Sequence, residues 1–282
     1  MSRSGAGPGG AAGTRAVVPG WVVAVAVLGA TFVVVPVGVL ATRADWEHLP
    51  ALVTGPAALD ALGLSLWTAV ASTLACVVVG VPLALVLART WFPGHAALRA
   101  VVLLPLVLPP VVSGLALLAT LGRRGPVGGL LEDLGIGVAF TTTAVVVAHT
   151  YVSLPFLVLS VEGALRVAGT RGELAAATLG ASPNRTFWVV TLPAIGPALA
   201  GGALLAFARS LGEFGATLTF AGSLQGVTRT LPIEIYLLRE TDPDAAVALS
   251  MVLVLAALVV VAVVHSAGGT RGLRTALGGS RG

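Results

Sequence analysis

Lysine is absent, and all 16 basic residues are Arg. Without Lys the chain cannot carry a P-loop, a Schiff-base amine or a Ser–Lys dyad. Cysteine is nearly absent. The single Cys76 excludes an internal disulfide and any Cys-rich metal site. Four His are scattered, and none shows HExxH or other ligand spacing. Charge is scarce too, at 10% of residues, against about 25% in a soluble globular chain. What fills the space is apolar: 56% of residues are hydrophobic and the mean hydropathy is +0.99. A soluble fold of this size cannot hide that much apolar surface, so a water-soluble enzyme is excluded.

A bilayer core needs roughly 20 apolar residues per helix. Runs free of Asp, Glu, Arg and His occupy residues 16–42, 61–88, 100–122, 186–208 and 245–264. A sixth, 134–161, is interrupted only by His149. The expectation is an all-α polytopic membrane protein with six transmembrane helices. The apolar core of the first run, 21–40, exceeds the roughly 7–15 residues of a signal peptide and reads as an anchored span. Residues 1–20, rich in Gly and Ala, read as a disordered tail. Residues 21–60 then hold the first helix and an outer loop, and 265–282 form a second tail.

Orientation follows from Arg asymmetry. With the N-terminus in the cytoplasm, ten of the 16 Arg lie inside. Of the 12 acids, only Glu162 and Glu173 then lie inside. Both termini are expected to be cytoplasmic. Trp21, Trp91 and Trp188 near inner helix ends, and Trp46 outside, fit an interfacial belt.

Most loops are short, but the inner segment 162–185 is long enough to fold outside the lipid. Thr170-Arg171-Gly172-Glu173 reads as a capping box, opening a helix through Leu179. Gly180 can supply the left-handed stop. Ser182-Pro183 then starts a second helix, with Ser as N-cap and Pro at the first position. Two readings stay open, a surface connector and a docking element for a cytosolic partner.

These residues carry a resemblance. Glu173-x-Ala175-Ala176, Gly180 and Val190-x-Leu192-Pro193 resemble the EAA loop of ABC-importer permeases, with Val190 where that pattern favours Ile. Leu104 to Gly114 (LPLVLPPVVSG) is similar to the PLVLPPVVxG segment of the sulfate/molybdate branch. Arg209 to Gly215 (RSLGEFG) resembles a second signature of that branch. The continuation from Thr217 to Gly222, and Arg229-Thr230-Leu231-Pro232, are more similar to molybdate than to sulfate permeases. So are Ile235-Tyr236 and the stretch from Asp244 to Ser250. The resemblance covers residues 61–264 and leaves the first helix without a motif.

The resemblance implies a type-I ABC importer permease fold over 61–264, with a cytoplasmic coupling loop at 163–187. It implies a non-catalytic permease subunit in a bacterial or archaeal cell membrane, moving molybdate or a related tetraoxyanion by alternating access. Sulfate, thiosulfate and tungstate stand as alternative cargoes. An ATP-independent secondary transporter or channel is the rival class, for which the EAA loop has no purpose. Expected partners are a cytosolic ATPase dimer, an extracytoplasmic substrate-binding protein, a second copy of the chain and the lipid bilayer, with no nucleic acid. ATP and Mg would sit on the ATPase, and neither cofactor nor metal on this chain.

Coupling to the ATPase falls to Glu173, Ala175, Ala176, Gly180, Leu192 and Pro193. Glu173 could serve the capping box or pair with an Arg on the partner. Pathway or structural candidates are Arg209, Glu213, Phe214, Thr217, Thr219, Pro105, Pro109 and Pro110. Arg209 and Glu213, four residues apart, fit one helical face as an ion pair. That pair locks helices together, or Arg209 lends positive potential to an oxyanion. Gly212 and Gly215 would let the helix break there, and Thr217 and Thr219 could offer hydroxyls to the cargo. The three prolines kink the third span, as Pro82 and Pro155 do theirs, to shape a pathway or only to pack. His149 reads as a neutral residue bonded to a neighbouring helix, or as a gate. Residues 233–240 read as a short outer or re-entrant helix. The outer acids Glu240, Asp242 and Asp244 offer a contact for a binding protein, or are simply solvated.

Overall fold

The computed structural model describes residues 18–278, with side chains described through Val263. The expected disordered tail, through residue 17, and residues 279–282 lie outside the described residues. The described chain is helical, with no strand among its elements. In order they are α1 (Gly20–Arg43), α2 (Leu49–Val53), α3 (Pro56–Arg89), α4 (His95–Leu103), α5 (Pro110–Leu121), α6 (Pro126–Asp133) and α7 (Thr142–Ala168). Then follow α8 (Arg171–Thr178), α9 (Pro183–Thr186), α10 (Leu192–Leu211), α11 (Gly215–Ala221), α12 (Leu231–Thr241) and α13 (Pro243–Gly278). A 3₁₀ turn at Leu104–Leu106 follows α4, and a π turn at Phe187–Thr191 joins α9 to α10. The described residues through Arg43 form one compact unit and those from Ala44 onward another. In the first unit α1 has 24 residues, about 36 Å of helix, which exceeds a roughly 30 Å hydrocarbon core.

Among the described residues, five helices are long and apolar enough to cross a membrane, or six if α4 and α5 count as one broken span. The third apolar run is therefore not a kinked helix. The chain turns by 117° between α4 and α5. The residue before a proline is driven out of the helical region, and Pro109-Pro110 applies that rule twice in succession. Pro109 is extended at φ −54°, ψ 137°, and Pro110 restarts the helix at its first position.

The fourth run also starts later than its apolar residues do. Residues 134–141 are not helical, because Gly135 and Phe140 sit at φ +78° and +62°. Thr141 then caps α7, its hydroxyl accepting the Ala144 N–H at 3.3 Å. Residues 233–240 fall inside α12, which starts at Pro232's neighbour Leu231.

α3, α7 and α10 make the central bundle, around Cys76, Ala84, Leu87, Leu157, Val161 and Ile195. Lipid is as apolar as Leu, so helices in a bilayer gain little from hiding Leu alone. Close approach and polar contacts have to hold them. Both are present. A Cβ on Gly80 would lie 2.6 Å from Leu157 Cδ2, and one on Gly202 would lie 2.8 Å from Ser160 Cβ. The buried Ser210 hydroxyl lies 2.9 Å from those of both Ser72 and Ser153, tying α10 to α3 and α7. A second cluster packs α11 against α5 and α7 around Phe220, Ala148 and Val152. A third joins α3, α12 and α13 through Ala58, Leu231 and Leu249.

Candidate coupling and pathway sites

The loop around α8, the candidate coupling element, is built by local chemistry. Gly169 leaves α7 at φ +64° and α8 follows. Gly180 stops α8 at φ +83°. Its N–H bonds the Ala177 carbonyl at 3.0 Å, and the Ala181 N–H bonds that of Ala176 at 3.0 Å. Those two bonds are a Schellman stop, which satisfies carbonyls the helix end would orphan. The Ser182 hydroxyl then accepts the Arg185 N–H at 3.4 Å, with Pro183 in the first turn of α9.

The capping box at the start of α8 does not form. Thr170 sits at φ −109°, ψ 0° and makes no side-chain cap bond. The reason is that the Glu173 carboxylate is committed elsewhere. Arg89, the last residue of α3, reaches it with Nε 3.1 Å from Oε2 and Nη2 3.1 Å from Oε1. The Thr191 hydroxyl donates to Oε1 at 3.1 Å. The Arg89 guanidinium also donates to the Leu165 carbonyl at 2.9 Å and the Gly169 carbonyl at 2.7 Å, at the end of α7. Hydrogen bonds to charged groups contribute about 1.5–3 kcal/mol each.

Leu192 and Pro193 shape this junction. Proline has no N–H for the carbonyl four residues back and its ring crowds that carbonyl. The turn before it widens, so the Leu192 N–H reaches five residues back to the Phe187 carbonyl. Thr191, the last residue of that π turn, is buried and turned toward Glu173. Ala175 is exposed and Ala176 half-buried, and α8 has no buried residue. Leu174 and Leu179 are also exposed, giving α8 a small-residue face with apolar margins. A groove of about 390 Å³ runs beside it, lined in part by Val86, Ala177 and Phe187.

The second group centres on the break between α10 and α11. Arg209 pairs with Glu213 at 2.5 Å, and Glu213 is 1% exposed while Arg209 is 28% exposed. The other Glu213 oxygen accepts the Ala216 N–H at 2.8 Å, so one carboxylate closes α10 and opens α11. Gly215 takes up the bend against α5, since a Cβ there would lie 2.9 Å from Pro110 Cβ. Thus Gly215 meets Pro110, whereas Pro109 lies in the break before α5 and Pro105 in the 3₁₀ turn after α4. Phe214 packs against Tyr236 with ring centroids 5.0 Å apart and the rings tilted by 47°. It lines an open pocket of about 430 Å³ with Tyr236, Arg239 and Ser250.

The threonine hydroxyls are placed differently from the expectation of open donors. Thr217 is fully buried, and its hydroxyl has no partner among the described residues. Thr219 donates back to the Gly215 carbonyl at 2.9 Å. His149 is buried with neither ring nitrogen bonded among the described residues, so the expected bond to a neighbouring helix is absent there. No group of three His, Cys, Asp or Glu among the described residues could hold a metal ion. Arg89 and Thr191 were not singled out from sequence. Arg89 was legible only as a basic residue ending an apolar run, and nothing in the sequence pairs it with a residue 84 positions away.

Known proteins answer the same description. The sequence profile of "binding-protein-dependent transport system inner membrane component" matches residues 80–268. The chain is 59% identical over 243 residues to "Molybdenum transport system permease protein ModB" of Mycobacterium tuberculosis, covering 86% of this chain and 92% of that protein. It is 43% identical over 188 residues to the ModB of Escherichia coli, 66% of this chain and 82% of that one. A sulfate transport permease, CysW of Synechococcus elongatus, is 41% identical over 174 residues, 62% of this chain and 61% of that protein. Among solved structures, a bacterial ABC transporter involved in import of the acidic polysaccharide alginate superposes with a TM-score of 0.70. It shares 19% identity over 88% of this chain and 95% of that one, a likeness of fold.

Proposed function

From the premise that the chain belongs to the binding-protein-dependent transport family of inner-membrane components, we propose that it is the permease of an ATP-driven importer carrying molybdate, or a closely related tetraoxyanion, into the cytoplasm. The membrane subunits of this family are non-catalytic, so the energy comes from a separate chain. In this reading two cytosolic ATPase subunits, holding ATP and Mg, seat α8 of two permease copies. An extracytoplasmic binding protein delivers the anion to the opposite face. The broken pair α4–α5 is counted as one span, giving six spans with both termini cytoplasmic. The Arg asymmetry supports that orientation.

What carries the reading is α8, a helix sharply stopped at Gly180 with no buried residue, hung between two membrane helices. A helix with an exposed apolar margin needs a partner, and a cytosolic ATPase supplies one. Molybdate is preferred to sulfate because the molybdenum permease of Mycobacterium tuberculosis is 59% identical over 92% of its length, whereas the sulfate permease CysW is 41% identical over 61% of its own. The test is to co-purify the chain with its cognate ATPase and measure binding-protein-stimulated ATP hydrolysis and uptake with molybdate, tungstate and sulfate. Stimulation by molybdate and tungstate but not sulfate is expected. Stimulation by sulfate alone refutes the cargo, and failure to associate with the ATPase refutes the importer.

A further inference from the structure

α8 is the helix an ATPase would push, yet packing does not clamp it to the bundle, since none of its residues is buried. Its backbone connections are turns. Gly169 precedes it at φ +64° and Gly180 follows it at φ +83°. Its close side-chain approach to the membrane helices is at Gly172, where a Cβ would lie 3.2 Å from Val190 Cγ1. Glu173 supplies the rest. Its carboxylate takes the Arg89 fork from α3 and the Thr191 hydroxyl from the π turn before α10. The remaining Arg89 donors hold the last carbonyls of α7. One guanidinium, 15% exposed, thereby joins α3, α7, α8 and the entry to α10. α3 has no backbone connection to this loop, being 84 residues away in sequence.

We propose that Arg89 is a positioning residue that bears force. The Arg89–Glu173 fork transmits displacement of α8 to α3, α7 and α10, and so couples ATPase closure to movement of the membrane helices. This rests on the importer reading and adds to it. It also assigns Glu173 a partner inside its own chain. Arg suits the position because a planar guanidinium bonds a carboxylate with two nitrogens and still reaches two carbonyls. Lys would keep the charge and lose the fork.

The experiment uses the complete complex of permease, ATPase and binding protein in proteoliposomes, with Arg89→Gln, Arg89→Lys and Glu173→Gln. Readouts are co-purification of the ATPase, ATP hydrolysis, and labelled molybdate imported per ATP. Arg89→Gln and Glu173→Gln are expected to assemble and hydrolyse ATP while import per ATP falls at least tenfold. Arg89→Lys should lie between them and the parent. Import per ATP equal to the parent in Arg89→Gln overturns the proposal. So does loss of ATPase association, which would make the pair a docking contact. A second arm places spin labels at Thr178→Cys and Trp91→Cys, both exposed sites. The inter-label distance distribution should broaden when Arg89→Gln or Glu173→Gln is added, and an unchanged distribution also overturns the proposal. If the parent complex neither hydrolyses ATP on stimulation nor imports, the importer reading fails. The distance arm then still decides whether the fork holds α8.

Discussion

Gly114 sits at a tight crossing of α5 and α11, and replacing it with Ala tests the packing directly. A Cβ there would sit 1.7 Å from Thr219 Oγ1, 2.7 Å from the Ala216 carbonyl oxygen and 2.9 Å from Ala216 Cα. The hydroxyl can rotate away, at the loss of its bond to the Gly215 carbonyl. The Ala216 backbone cannot. Carbon atoms rest about 3.5–4.0 Å apart, so α5 and α11 must separate by roughly 0.5–1 Å. Overpacking of this kind costs about 1–3 kcal/mol. Each kcal/mol moves Tm by about 2–4 °C in a chain near this size, so a fall of roughly 2–12 °C is expected. The assay is thermal unfolding of the detergent-purified chain by tryptophan fluorescence. The control is Gly201→Ala in α10, where an added Cβ meets nothing within 4 Å. There the better helix propensity of Ala should leave Tm unchanged or slightly higher. If Gly114→Ala melts within a degree of the parent, the α5–α11 contact is looser than described and the reasoning fails.

Three further outcomes follow from the same geometry. Gly180→Val puts a β-branched residue at φ +83° and breaks the Schellman stop. It should abolish uptake while membrane insertion stays normal, as read by uptake assay and membrane fractionation, and normal uptake would count against the stop. Arg209→Gln should destabilise more than Glu213→Gln, because it strands a carboxylate that is 1% exposed whereas Arg209 is 28% exposed. Breaking a buried pair costs about 3–5 kcal/mol, and equal melting of the two variants would refute the asymmetry. Ser210→Ala removes the hydroxyl shared by Ser72 and Ser153. Interhelical hydrogen bonds in membranes average about 0.6 kcal/mol each, so a loss near 1 kcal/mol is expected in urea or thermal titration. A loss above 4 kcal/mol would show that this triad does more than join helices.

Composition and run length were enough to place the long helices, because lipid imposes one rule on every span. α3, α7, α10 and α13 all overlap the runs counted from charge alone. What run length could not see was backbone direction. Residues 100–122 are apolar from end to end, yet the chain bends by 117° within them. The proline pair carried that information, and kink and break differ only in whether neighbours stabilise the interruption. Local motifs were legible for the same reason as the runs: Gly180 and Ser182 act on atoms within a few residues. The capping box failed because a local bond lost to a distant one. Glu173 can reach Thr170 only at a helix start, while Arg89 offers it a charge and two nitrogens. Sequence spacing holds no term for that competition.

The two interruptions explain each other once their hydrogen bonds are traced. Broken backbone inside a bilayer is tolerated only where its polar groups are satisfied or face a cavity. At the α4–α5 break the two prolines carry no N–H to orphan. The Val107 and Leu108 N–H groups turn back to the Leu104 carbonyl at 3.0 and 3.1 Å, and the Val112 and Ser113 N–H groups bond that of Pro109 at 2.9 and 3.1 Å. At the α10–α11 break the Glu213 N–H bonds the Ser210 carbonyl at 3.1 Å, and the Glu213 carboxylate takes the Ala216 N–H. Each break thus bonds several of its own backbone groups to its own residues. They also meet, through Gly215 against Pro110 and Gly114 against Ala216. A rotation of α11 about Gly212 therefore cannot leave α5 behind, because the contact has no spare space to absorb it. α10 runs from the π turn that ends at Thr191 through Arg209, so it spans the distance between the Glu173 contact and the Glu213 contact. α10 is thus the element that lies between the loop around α8 and the paired breaks.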